Sequence, residues 1–301
     1  MVTPTLFLTT TARESRARRR RLSYRLLHSA KAMGSLLVLC VIILVAVFEP
    51  LVTPHDPNKQ NLLLRLLPPA WESGGNPTYI LGTDQLGRDE LSRIMGGARV
   101  SLSVGFATVV LSGLIGVALG LTSGYARGIA DRLITRLTDI QLAMPRILLA
   151  ISMIAVMGPS VQSVIIALAV GGWPYQSRIV RAQVLALREK EFVEAARCIG
   201  VPTHRIILRH VFPHTLASVI IIATTSIATN IILESSLSFL GLGVEASRIT
   251  WGGMLSDSRS YIRVNSWLST LPGLAIMLTV LTVNLFGDWL RDELDPRIQT
   301  G

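Results

Sequence analysis

From Ile147 to Gln176 the chain runs without a single charged side chain. An apolar helix needs about 20 residues to cross a bilayer, and within hydrocarbon every backbone N–H and C=O must be bonded inside the segment. A run of this length therefore restricts the fold to membrane-spanning helix. This run joins two expected spans, the third and fourth in chain order at 138–157 and 161–185, and four further stretches of similar character, 32–52, 101–125, 214–236 and 267–289, bring the count to six. The third and fourth are separated only by the tight turn Gly158, Pro159, Ser160. Composition agrees, since 50% of the 301 residues are hydrophobic and 16% charged, against roughly 25% charged in soluble domains. The fold class expected is an all-α integral membrane protein.

An even number of spans leaves both termini on one side, and Lys and Arg mark that side as cytoplasmic. The tail RESRARRRRLSYR, residues 13–25, with Lys31 places eight basic residues before the first span. With that tail inside, 21 of the 29 Lys and Arg fall in cytoplasmic segments. The net charge of +10 thus reads as topology and attraction to anionic membrane lipid. No aromatic residues are interleaved through the arginine run, so nucleic acid is not an expected partner. A cleaved signal is also disfavoured: the apolar run 33–48 exceeds the usual ~7–15 residues, and no small-x-small site follows it. Cys40 lies in a span and Cys198 in a loop, which provides no disulfide framework.

Function should concentrate in the segments outside the spans: 53–99 outside, 186–213 inside and 238–266 outside. The first reads as a folded outer loop or a solvated connector, with a short helix expected over Arg88 to Met95, capped near Asp84 or Gly87. Within the second span Gly116, Gly120 and Gly124 recur every four residues, with Gly113 beside them, so that another helix can approach closely.

The segment EFVEAARCIG, residues 191–200, is charged and amphipathic between two apolar runs. Phe192, Ala195, Ala196 and Ile199 fall at i, i+3, i+4 and i+7, forming one apolar stripe. Lys190, Glu191, Glu194 and Arg197 make the other face. Gly200 suits a left-handed helix end, and Val201, Pro202, Thr203 supply a turn and an N-cap for a second helix, HRIILRHVF, which Pro213 closes. Such an elbow would fit a groove on another protein; a helix lying on lipid is the competing reading.

Glu194, Ala195, Ala196, Gly200 and Pro213 resemble the EAA loop of membrane subunits in ABC-type importers. LGTDQLGRDELSRIMGGARVSL at 81–102, SLSFLGLGV at 236–244 and NLFGDWLRDELDPR at 284–297 extend the resemblance. They point to the C-type subunit of the dipeptide/oligopeptide/nickel permease family. The sequence departs from that pattern at His210, Val211 and Phe212 before Pro213, at Trp289, and at Arg146 after Pro145. The resemblance implies a six-helix type I importer permease in the bacterial cytoplasmic membrane, with Phe192, Glu194, Ala195, Ala196, Arg197, Gly200 and Pro213 forming the coupling helix and loop that dock on an ATPase. It also implies four regions: a basic tail at 1–31, a first helix and external loop at 32–100, a five-helix core at 101–290 containing the loop 186–213, and a tail at 291–301. Implied partners are a homologous second permease, two ABC ATPase subunits and an extracytoplasmic solute-binding protein, with alternating access as the mechanism.

The chain itself contains no Gly-x-x-x-x-Gly-Lys-Ser/Thr, and its only lysines are Lys31, Lys59 and Lys190. ATP and Mg are therefore expected on the ATPase subunits, with no cofactor, no metal and no catalytic residue on this chain. His204, His210 and His214 read as loop histidines rather than metal ligands. Charges within spans are costly and mark candidate functional positions. Glu49, Asp139 and Asp288 lie near span ends, leaving Glu234 and Arg146 as candidates for the translocation path, or for structural pairing. Peptides are the expected cargo, with nickel or metal chelates and other small solutes as alternatives. Readings from other classes, a proton-coupled secondary carrier or a membrane-embedded enzyme, lack the paired mid-membrane acids or catalytic cluster they would need.

Overall fold

The computed structural model describes residues 29–294. The basic tail at 13–25 and the last residues of the terminal motif, Asp295, Pro296 and Arg297, lie outside that range. Among the described residues the regular structure is helical, apart from an isolated bridge between Thr83 and Asp89. Helix α1 spans Ala30–Val47 and is capped by Ser29, whose side chain accepts from the Ala32 N–H. It is followed by α2 (Glu90–Ala126), α3 (Gly128–Leu142), α4 (Arg146–Met157), α5 (Val161–Leu187), α6 (Glu191–Cys198), α7 (Phe212–Phe239), α8 (Trp251–Ser258) and α9 (Trp267–Leu294).

Four helical stretches are long and apolar enough to cross a membrane: α1, α2, the continuous stretch 203–239, and α9. A fifth is obtained if α3 and α4 are counted as one bent span. Helix α5, with 27 residues, has the length, but its second half carries Gln176, Arg178 and Arg181. Large apolar side chains such as Leu44, Phe106, Leu114, Val156 and Leu278 face outward, whereas Ser112, Gln176, Asn230 and Glu234 are buried. This is the distribution expected where the surroundings are lipid and the interior supplies polar partners.

Several expected boundaries move. The third span is broken: α3 and α4 meet at 90° across residues 143–145. Proline has no N–H and disfavours helical backbone at the residue before it, here Met144. The short helix expected over Arg88 to Met95 is instead the start of α2, which runs unbroken through the expected boundary at residue 100. Its cap is Asp89, whose carboxylate accepts from the Ser92 N–H. Neither Asp84 nor Gly87 caps it. Gly96 and Gly97 lie within this helix, and the indole of Trp251 packs on Gly97, where a Cβ would lie 2.9 Å from Trp251 Cδ1.

Pro213 does not close the second helix of the elbow. Thr203–Ile206 is α-helical, Ile207–Val211 is a π turn, and α7 continues directly, with Pro213 in its first turn. The wider turn, in which Phe212 N–H donates to Ile207 O, lets the chain pass the proline without a break. Thr203 is the first residue of that helix and not its cap.

The segment 53–89 folds onto the start of α2. Asp84 accepts from the Leu86 and Arg88 N–H groups and from Arg88 Nε at 2.6 Å. Arg93 of α2 pairs with Asp84 at 3.5 Å, Arg88 Nη2 reaches Asp257 of α8 at 3.4 Å, and His55 N–H donates to Ser92 Oγ of α2 at 3.1 Å. These contacts tie the segment into the bundle, so the reading as a folded loop holds over that of a connector.

Candidate functional site

The glycine repeat of α2 seats α5. A Cβ on Gly116 would lie 2.7 Å from Trp173 O, on Gly120 2.8 Å from Ser177 O, and on Gly124 2.7 Å from Val184 Cβ. All three glycines are therefore required for the two backbones to meet. Gly113 faces the same helix, with Gln176 Oε1 at 3.2 Å from its ideal Cβ position.

This seam ends at the elbow. Helix α6 closes with Gly200 at φ +75°, a conformation costly for residues with a Cβ. Gly200 N–H donates to Arg197 O at 2.9 Å and Val201 N–H to Ala196 O at 3.1 Å, the two bonds of a Schellman ending. The helix presents two apolar facets. Val193 and Ala196 are buried against Leu121, Val180, Val184, Ile206 and Val211. Phe192, Ala195 and Ile199 are exposed, together with Glu191 and Glu194. The expected single stripe is thus divided: Ala196 faces inward beside Val193, which the stripe had omitted, and the remainder points away from the bundle. Arg197 lies over the Tyr125 ring at 5.2 Å and donates from Nε to Tyr125 Oη at 3.1 Å. Arg188 Nη1 donates to Gly124 O at 2.9 Å. The elbow is therefore fixed to the ends of both seam helices.

The histidines follow the elbow. His204 and His214 are exposed and His210 is half-buried. His214 stacks on Phe192 with ring centroids 5.1 Å apart.

Arg146 opens α4 at the bend. Its Nη2 donates to Asn230 Oδ1 of α7 at 2.6 Å and to Leu168 O of α5 at 3.0 Å. Around it lies a cavity of about 650 Å³ lined by residues of α2, α3, α4, α5 and α7 together with the bend. The size falls within the roughly 300–1,000 Å³ typical of small-molecule sites. Pro174 lies inside α5, next to the lining residue Tyr175. Lacking an N–H, it cannot bond Val170 O, and the Gln141 side chain donates to that carbonyl instead.

Glu234 does not line this cavity. It is fully buried between α2 and α7, accepting from Ser101 Oγ at 3.1 Å and Ser238 Oγ at 2.8 Å. Glu49 reaches Arg99 at 3.4 Å, Asp139 pairs with Arg178, and Asp131 binds Arg181 through both oxygens. Asp288 is exposed. Gln141, Gln176, Tyr175 and Asn230 were missed as lining residues. The signal available for Tyr175, Gln176 and Asn230 was a set of amide and phenol groups inside otherwise uncharged runs.

Comparison with known proteins fits this architecture. Residues 116–300 match the family described as binding-protein-dependent transport system inner membrane component, and residues 19–69 match the N-terminal TM domain of oligopeptide transport permease C. The chain is 43% identical over 272 residues to a di/tripeptide transport system permease protein of Pseudomonas aeruginosa (strain UCBPP-PA14), covering 90% of each. It is 41% identical to a glutathione transport system permease protein of Escherichia coli O6:K15:H31 (strain 536 / UPEC), covering 89% of this chain and 87% of the relative. A solved inward-facing structure of the MetNI methionine ABC transporter aligns with TM-score 0.57 at 19% identity, over 68% of this chain and 97% of the other. That likeness identifies the fold as the type I importer permease. With the family match over more than half its length and relatives above 40% identity, the chain belongs to the binding-protein-dependent transport system inner membrane components, multi-pass permeases of ABC importers.

Proposed function

We propose that this chain forms half of the pathway through which an ABC importer takes up peptides, beside a homologous second permease. Two separate ATPase subunits bind ATP and Mg and do the hydrolysis, and an extracytoplasmic binding protein delivers cargo. The chain contributes no catalytic group. The basic elbow end and both termini face the cytoplasm, in keeping with the concentration of Lys and Arg there.

The observation that carries this reading is the divided elbow. One facet, Val193 and Ala196, is locked into the bundle, while Phe192, Ala195 and Ile199 remain exposed together with Glu191 and Glu194. An exposed apolar strip with an acidic rim on a rigid support suits a protein groove. An interfacial helix on an anionic membrane would instead carry basic residues beside its apolar face. Closure of the ATPases would move the elbow, and the glycine seam would carry that displacement to the cavity as a rigid unit.

Cys198, exposed on the elbow, provides the test. A short thiol-directed cross-linker attached there in native membranes should join this chain to an ATP-binding subunit. Attachment at Cys40 of α1 should not. Equal capture from both positions, or none from Cys198, would remove the docking assignment.

A further inference from the structure

Arg146 is unlike the other arginines set among these helices. Arg178 pairs with Asp139 and Arg181 with Asp131, whereas no carboxylate among the described residues pairs with Arg146. Glu234, one helical turn beyond Asn230 on the same helix, gives its oxygens to Ser101, Ser235 and Ser238. The guanidinium is seated closely: a Cβ on Gly171 would lie 2.9 Å from Arg146 Cγ, and one on Gly172 2.9 Å from Arg146 Nη2. Two donors remain unused beside the cavity, the buried Nε of Arg146 and the buried Nδ2 of Asn230.

A cation held at membrane depth is expensive and normally has a counter-ion. Here no carboxylate among the described residues takes that place, and the neighbouring donors without partners are N–H groups. A carboxylate is the anion that a planar guanidinium takes through two parallel bonds. We propose that Arg146 and Asn230 form a carboxylate-binding subsite in the transport cavity, so that the cargo is a small solute with a free carboxylate, such as a peptide with an unblocked C-terminus. The carboxylate would accept from the guanidinium and from Asn230 Nδ2, supplying the missing countercharge during passage. This rests on the reading of the chain as an import permease, and it deepens that reading by assigning the chemical group the pathway recognises.

The test uses the complete complex in proteoliposomes, with its ATPases and its binding protein. The probes are alanyl-alanine and alanyl-alanine amide, and binding-protein occupancy by each is measured and held equal. The unaltered complex should carry the free acid about tenfold faster than the amide, as expected for one charge-assisted pair. Arg146→Gln should lower the free-acid rate to that of the amide, bringing the acid-to-amide ratio to about one. Arg146→Lys should keep a reduced preference for the acid. An unchanged acid-to-amide ratio in Arg146→Gln would overturn the subsite. So would a parallel fall of both rates, because it would make Arg146 a brace between helices. Failure of the unaltered complex to import either peptide on adding ATP would count against the import reading itself, before any variant is compared.

Discussion

Helix α5 meets its surroundings through two unlike surfaces. Along Ser177, Val180 and Val184 it lies against the glycines of α2 with backbone touching backbone. Around Gly171 and Tyr175 it borders a cavity of about 650 Å³ with polar walls. The first surface has no room to change shape, and close-packed contacts of this kind transmit displacement. The second has room and unused hydrogen-bonding groups. A transporter needs both properties, and here one helix provides them. The elbow is attached at the end of the dry seam, where a push would be passed on with least loss.

Substitutions on the two surfaces should therefore differ sharply. Gly120→Leu must force α2 and α5 apart, since even a Cβ would lie 2.8 Å from Ser177 O. A cost of about 3 kcal/mol or more is expected, read as loss of monodisperse protein after solubilisation. Tyr175→Ala, at an exposed position on the cavity rim, should change thermal stability by no more than about 0.5 kcal/mol. Equal losses would break the comparison.

The elbow permits the same contrast within two residues. Val193→Asp buries a charge among Leu121, Val180 and Val184 and should cost about 3 kcal/mol, detected as increased proteolysis of the segment 186–213. Ala195→Asp should leave protease resistance unchanged while weakening retention of the ATPase.

Smaller effects refine the account of the interior. Glu234→Gln keeps an acceptor for Ser101 and Ser238 but adds two N–H donors to a fully buried site. A loss of about 1–3 kcal/mol is expected, with uptake per folded molecule unchanged because Glu234 lies away from the cavity. Pro174→Ala restores an N–H toward Val170 O and makes the Gln141 contact redundant. Its effect on the thermal transition should stay below about 1 kcal/mol, the smallest shift in the set apart from Tyr175→Ala.

What could be read in the sequence follows from which interactions are local. Apolar run length placed the helices, and a four-residue glycine spacing located the seam, because both depend only on helical repeat. Gly200 at the elbow was legible for the same reason. The inward facet of α6 was not. Phe192, Val193, Ala195, Ala196 and Ile199 cover more than one facet, and only contact with α2, α5 and the start of the next helix selects Val193 and Ala196 for burial. The passage through Pro213 was hidden as well, since a π turn has no simple residue signature. Arg146 was noticed as a charge out of place, but its partner Asn230 lies 84 residues away in the chain. No local pattern joins them. The bend at Pro145 was in principle readable, and a preference for one straight span concealed it.

The measurement closest to the centre of this account is ATP-driven uptake by the reconstituted importer after Glu194, Ala195 and Ile199 are exchanged among themselves. That shuffle changes the outward facet of α6 while leaving Val193, Ala196 and Gly200 in place. The account predicts a correctly inserted bundle that retains its cavity and no longer couples hydrolysis to uptake, with the rate reduced at least about tenfold, as expected when a buried interface anchor is lost. Full-rate uptake by the shuffled chain would contradict it.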